Sequence, residues 1–189
     1  MTGIAVTVLA EPDGAGHRVG VTALANGMLH PADLPLSADD LDGPAEVSAG
    51  LVLVLAADLE GPGVTSADVL AVTSGVIGAL QVSAPGAPGG LARLILGPAL
   101  VSPDGLDLGL VGVLLESGGV QVATAAGAAT LSHPAVAAAE GINALGPRHG
   151  VDAGSLVYTG RLTPLFPLAR GSHARAAFGH LGSVGVRLV

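Results

Sequence analysis

Asp152-Ala153-Gly154-Ser155-Leu156-Val157-Tyr158-Thr159-Gly160-Arg161-Leu162-Thr163-Pro164 is the stretch on which the fold turns. Asp, Gly and Ser at its start favour a turn, and residues 156–159 then read as a strand of apolar, β-branched and aromatic side chains. Gly160 interrupts the run and Pro164 ends it, because proline cannot donate to a strand ladder. Downstream follow Arg170-Gly171-Ser172 and Ala177-Phe178-Gly179-His180-Leu181-Gly182-Ser183-Val184, with strands expected at 174–178 and 184–188.

Upstream the same grammar repeats, as short apolar runs separated by Gly, Pro and Asp. Strands are expected at 4–9, 17–24, 51–55, 91–96, 106–115 and 120–125. The continuous run at 51–55 is the pattern of a strand buried on both faces. Residues 116–119 (Glu-Ser-Gly-Gly) read as a hairpin turn, and residues 31–44 and 83–90 as loops. Thr65-Ser66-Ala67-Asp68 resembles a capping box with Asp in place of Glu; Val69, Val72, Val76, Ile77 and Leu80 follow at helical spacing, which predicts a helix over 65–80. A second helix is expected over 135–145, entered through His133-Pro134 and stopped by Gly146-Pro147.

The 189 residues weigh 18.1 kDa and suit one domain over 1–189. Fifteen acids against seven arginines and no lysine give a net charge of -8, with no basic stripe for nucleic acid or an anionic membrane surface. No apolar stretch is long enough to span a bilayer, and residues 4–10 lack the flanks of a signal peptide, so a soluble, cytoplasmic chain is expected. With no cysteine, thiolate metal sites and thiol nucleophiles are excluded. Charged residues are only 12% of the chain, so either some apolar surface lies against a second copy or a ligand, or the composition reflects the source genome. Aromatics at 2% make any pocket aliphatic. The histidines show no HxH or HxxxH spacing that would suggest zinc.

The C-terminal motif resembles the ending of the 2-keto-4-pentenoate hydratase and 4-oxalocrotonate decarboxylase family, within the fumarylacetoacetate hydrolase superfamily. Leu131-Ser132-His133-Pro134 looks like that family's Gly-His-Pro segment. Asp58-Leu59-Glu60-Gly61-Pro62-Gly63-Val64-Thr65 with Asp68-Val69-Leu70 looks like its Asp-Leu-x-Gly-Pro-Gly segment, and His17-Arg18-Val19-Gly20-Val21-Thr22 like its Lys-containing Gly-Leu-Thr segment. The resemblance implies an α+β, mainly β fold: a mixed, curved, barrel-like sheet with two short flanking helices and a pocket at its mouth. It also implies a divalent cation held by three carboxylates, two as Glu-x-Glu entering the strand at 51–55 and one after the helix. That cation would chelate a 2-oxo acid and stabilise its enolate. The family's N-terminal helical region has no counterpart here.

The departures carry the functional expectation. The three carboxylate positions fall on Ser48, Gly50 and Gln81, none of them acidic, so no metal and no other cofactor is expected. Glu46 lies on the same strand face as Ser48 and is the one nearby carboxylate. Arg161 stands where members usually keep Ser; it is either a surface arginine on a turn or the anchor of a substrate carboxylate or enolate. Arg18 replaces the family lysine. Gln81 orients a carbonyl or is simply exposed, and Tyr158 either packs with its hydroxyl satisfied or donates a proton. Thr159, Gly160 and Thr163 complete the pocket-side turn. His133 is read as a helix cap.

These readings converge on a metal-independent lyase, isomerase or cyclase. Its expected substrate is a hydrophobic enol, oxo acid or polyene of the polyketide-like kind made in secondary metabolism. A non-catalytic subunit partnering an active paralogue and an Mg-dependent 2-hydroxydienoate hydratase are the rivals. A homodimer or hetero-oligomer is expected.

Overall fold

The computed structural model describes residues 3–10, 17–23, 29–32, 34–41, 43–84, 93–147 and 149–189. Its first strands are β1 (Gly3–Ala10), β2 (His17–Ala23), β3 (Leu29–His30), β4 (Glu46–Leu55), β5 (Leu59–Glu60), β6 (Thr73–Ser83) and β7 (Arg93–Leu96). They are followed by β8 (Gly112–Ser117), β9 (Val120–Ala126), β10 (Gly150–Val151), β11 (Leu156–Arg161), β12 (Phe166–Pro167), β13 (His173–Phe178) and β14 (Gly182–Arg187). Helix α1 (Ser66–Val72) lies between β5 and β6, and α2 (Pro134–Ala144) between β9 and β10.

The main sheet runs β2-β1-β11-β4-β6-β7-β3, with β12 added to the start of β4. It is mixed: β1 pairs parallel with β11, and β3 with β7, while the other pairings are antiparallel. A second sheet runs β14-β13-β8-β9, and β10 pairs with β5. The expected class, α+β and mainly β with two helices, is what forms; among the described residues the sheets stay open and none closes into a barrel. No helix among them is long and apolar enough to cross a membrane.

The helix expected over 65–80 is corrected. The capping box is present: Thr65 Oγ1 accepts from the Asp68 amide, and the Asp68 carboxylate accepts from the Thr65 amide. The helix nevertheless stops at Val72, where Thr73 Oγ1 donates back to the Val69 carbonyl at 2.7 Å. Everything from Thr73 to Ser83 is strand, wedged between β4 and β7. Apolar spacing alone does not separate a buried strand from a helix, and the β-branched, glycine-containing run here settles on strand. Gly78 is required by packing, since a Cβ there would lie 2.7 Å from the Phe178 ring edge.

Other boundaries shift less. The strand expected at 106–115 begins only at Gly112, after a 3-10 turn at Leu108–Leu110 capped by the Asp107 carboxylate. The loop at 31–44 holds a further 3-10 turn, Ala38–Asp40, and Leu36 bridges to Leu188 beside β14. Residues 85–90 of the second loop lie outside the described residues. The hairpin turn between β8 and β9 forms at Gly118 and Gly119, both with positive φ, as a two-residue turn of the type that suits strand twist.

Two faces follow from strand alternation. Val47, Ala49, Leu51, Leu53 and Leu55 of β4 join Val76, Leu80 and Val82 of β6 in the main core, against β13, β14 and α2. Val52, Ala79, Leu94, Leu156 and Tyr158 form a second, smaller cluster, bordered by Leu29, Val54, Ile77 and Leu96. That second face carries the candidate site.

Candidate functional site

The three positions that the family resemblance assigns to carboxylates meet on this second face. Ser48 pairs in register with Gln81, so their side chains share one side of the β4–β6 ladder. Gly50 follows two residues along, flanked by Ala79 on β6 and Arg161 on β11. Gln81 therefore sits deep in a strand instead of at a helix end, and it is buried, at 2% exposure, instead of exposed.

Tyr158 fills the centre. A side chain at position 50 would begin 2.5 Å from Tyr158 Oη and Cε2, so the phenol occupies the space that a glutamate entering from Gly50 would need. Tyr158 Oη donates to Gln81 Oε1 at 3.2 Å. Ser48 stands beside the phenol, yet its fully buried Oγ meets no hydrogen-bond partner. Among the described residues it is the one buried side-chain polar atom left unpaired. Burial pushes the Tyr158 pKa well above that of an ordinary phenol; the nearby Arg161 charge pulls the other way without overcoming it. At neutral pH the hydroxyl is a proton-bearing donor.

The Thr159-Gly160 step is where β11 slips register against β4, between Tyr158 and Arg161. Gly160 has φ +99°, a left-handed conformation that suits glycine at such a bulge. The threonines on either side brace β4: Thr159 Oγ1 donates to the Leu51 carbonyl at 3.2 Å, and Thr163 Oγ1 accepts from the Ala49 amide at 3.0 Å. Their hydroxyls are thus engaged by the strand that carries Ser48 and Gly50. Arg161 is half-buried opposite Gly50 and, among the described residues, has no carboxylate partner. Its carbonyl accepts from Thr130 Oγ1 at 3.3 Å.

The remaining candidates lie farther out. Glu46 begins β4, half-buried, opposite Ser83 and Pro167, two residues from Ser48 on the same face. Arg18 takes a register position on β2 opposite Leu9, and its side chain lies outside the described residues. His133 caps α2, its Nδ1 accepting from the Ala135 amide at 3.1 Å. A separate open cleft of about 830 Å³, lined by Leu34, Arg170, His173, Arg175 and Arg187 among others, shares no residue with the Tyr158 cluster.

A hard divalent cation binds several anionic oxygens. Here the corresponding positions supply a hydroxyl, no side chain and a neutral amide, with a protonated phenol between them, and among the described residues no group of three His, Asp or Glu could hold a metal ion. The residues present do not fit the family's cation. Sequence reading placed Ser48 at a ligand position but gave it no role of its own. The Tyr158–Gly50 complementarity left no local signal, because 108 residues separate the two positions (158 − 50).

No family model matches the chain. It is 37% identical over 98 residues to a 4-oxalocrotonate decarboxylase of Pseudomonas sp. (strain CF600), a match covering 51% of this chain and 37% of that protein. It is 33% identical over 99 residues to a 2-oxo-hept-4-ene-1,7-dioate hydratase of Escherichia coli, covering 52% of this chain and 37% of the relative. These matches thus span little more than a third of the relatives' own length. In three dimensions it superposes on 4-oxalocrotonate decarboxylase from Pseudomonas putida G7, complexed with calcium and acetate, with TM-score 0.87 and 27% identity over 99% of this chain and 77% of that one.

Proposed function

We propose that the chain, a divergent relative of the 2-keto-4-pentenoate hydratase and 4-oxalocrotonate decarboxylase family in the fumarylacetoacetate hydrolase superfamily, is a lyase- or isomerase-type enzyme that works without the family's cation. The observation that carries this reading is the replacement at the centre of the site. The Tyr158 ring stands where a carboxylate would enter from Gly50, and Ser48 and Gln81 are neutral at the other two positions.

The chemistry that remains is that of a fixed cation and neutral donors. The relatives' names point to enolisable oxo acids, and a substrate of that class presents a carboxylate or enolate oxygen. Arg161, with no carboxylate partner among the described residues, supplies the compensating charge through a planar fork suited to such oxygens. Tyr158, kept protonated by burial, supplies a hydroxyl beside it. Thr159, Gly160 and Thr163 set the turn that places both on β11 against β4. The aliphatic neighbours Val52, Ala79 and Leu94 keep the surroundings poor in water, which strengthens each electrostatic contact. Glu46 is assigned to the substrate-binding rim, Arg18 remains a catalytic candidate by sequence position alone, and a cytoplasmic reaction is part of the same proposal.

The test is turnover of 2-hydroxydienoates and enolic polyene acids in excess EDTA. Turnover that survives the chelator and falls at least a hundredfold in Arg161→Ala supports the proposal. Turnover that EDTA removes identifies an ordinary cation-dependent hydratase instead. No turnover, with a paralogue co-purifying, identifies a non-catalytic subunit.

A further inference from the structure

Resting on the metal-free reading above, we infer that Ser48 is a ligand contact: its Oγ and the Arg161 guanidinium together receive the anionic oxygen of a monocarboxylate or enolate, and the site favours one negative charge over two. A hydroxyl at 0% exposure without a partner is costly, because it has lost water and gained nothing. Most buried polar groups avoid that state, and the exceptions concentrate where a ligand completes the set. Ser48 is the one such side-chain atom among the described residues, and it lies in register with Gln81 and beside Tyr158.

The donor inventory sets the ligand's polarity. Tyr158 spends its proton on Gln81 Oε1, and the Ser48 hydroxyl meets no partner within hydrogen-bonding geometry, which leaves its O–H for a ligand. Arg161 flanks the same phenol from β11 and only donates. Two donors, one of them cationic, call for an acceptor that carries charge. Around them the side chains turn aliphatic at once: Leu94 lies opposite Gln81, Leu96 opposite Ala79, and Val52 follows Gly50 on β4. Among the described residues no cation lies with these side chains, so a second carboxylate pointing that way goes uncompensated, whereas an alkyl or polyene body meets like surface.

Hexanoate and adipate, equal in length and differing by one carboxylate, separate these cases. Tyr158 is the sole tyrosine and the chain has no tryptophan, so tyrosine fluorescence reports directly from the site. Titrated in EDTA, wild-type protein is expected to bind hexanoate at least tenfold more tightly than adipate. Ser48→Ala is expected to weaken hexanoate about tenfold while raising the unliganded melting midpoint by about 2–4 °C, since the variant deletes an unpaired buried hydroxyl. Absent hexanoate binding, equal or tighter adipate binding, unchanged affinity in Ser48→Ala, or a lowered midpoint would each overturn the inference. The functional proposal fails separately: Ser48-dependent hexanoate binding without chelator-resistant turnover leaves the ligand contact standing and removes the catalysis. Turnover with Ser48-independent binding does the reverse.

Discussion

The two faces of β4 are built from interleaved residues and follow different rules. Val47, Ala49, Leu51, Leu53 and Leu55 are aliphatic, at most 1% exposed, and continuous with the main core. On the other face Glu46, Ser48 and Gly50 bring a half-buried acid, an unpaired hydroxyl and a glycine whose side-chain space a tyrosine has taken. Because successive side chains of a strand point to opposite sides, one ladder can hold the fold with its odd positions while its even positions change chemistry. The architecture thus does not depend on carboxylates at these positions: with none of the three present, the sheet order and register around them still form.

Truncating the packed face should cost the most. Leu53 has no exposed surface, and Leu53→Ala is expected to cost about 3–4 kcal/mol in urea unfolding, from lost burial and the cavity left behind. A cost under about 1 kcal/mol would mean that the odd face does not hold the sheet together.

Gly50→Ala tests the other face. Its methyl would collide with the Gly160 carbonyl oxygen as well as with the Tyr158 ring edge and hydroxyl, and about 2 kcal/mol of destabilisation is expected from the overpacking. In a Tyr158→Leu background the share of that cost due to the phenol should disappear while the clash with the Gly160 carbonyl stays, a coupling of about 0.5–1 kcal/mol in a double-mutant cycle. Additive costs would separate the two residues and remove the argument that the phenol fills the vacated place.

The fold was largely legible because it is written in local signals. The Gly118-Gly119 turn, the Thr65 capping box, the His133-Pro134 helix entry and the β-branched runs each name their own structure. The stretch after Val72 misled because Val76, Ile77 and Leu80 satisfy helical spacing as well as a strand buried on both faces; only the neighbours β4 and β7 decide between them. The candidate site was legible by position and not by mechanism. Ser48, Gly50 and Gln81 could be placed by resemblance, but the Tyr158–Gln81 bond joins β11 to β6 and exists only after the sheet assembles. Thr159 and Thr163 stood in the recognisable turn, and only the register showed their hydroxyls bracing β4.

The even face also has a pH signature that the odd face cannot have. Burial raises the Tyr158 pKa above its unfolded value of 10.0, so the folded protein holds this proton more tightly than the unfolded chain does. The stability that this contributes is fully present below pH about 10 and is lost as pH climbs beyond it, because the unfolded state then releases a proton that the native state retains. Absorbance at 295 nm, which here reports one tyrosine, should show no ionisation until the protein unfolds in alkali, and Tyr158→Phe should flatten the alkaline fall in stability. Free titration near pH 10 in the folded state would place the phenol in water and dissolve the cluster.

The smallest expected effect lies where the site's support enters α2. Leu131 and Ser132 have φ of 45° and 67°, left-handed values that favour glycine, and the resembled family segment carries glycine at position 132. The preceding Thr130 is fully buried and donates to the Arg161 carbonyl, and His133 caps the helix immediately after. The strained residues therefore lie between a fixed helix entry and the strand end that bears Arg161. Ser132→Gly relieves one left-handed side chain but loosens the unfolded chain as well, so the net gain should not exceed about 1 kcal/mol. If the strain serves to hold Arg161, the stabilised variant should bind hexanoate more weakly; unchanged binding would assign the strain to the helix entry alone and detach it from the site-bearing face.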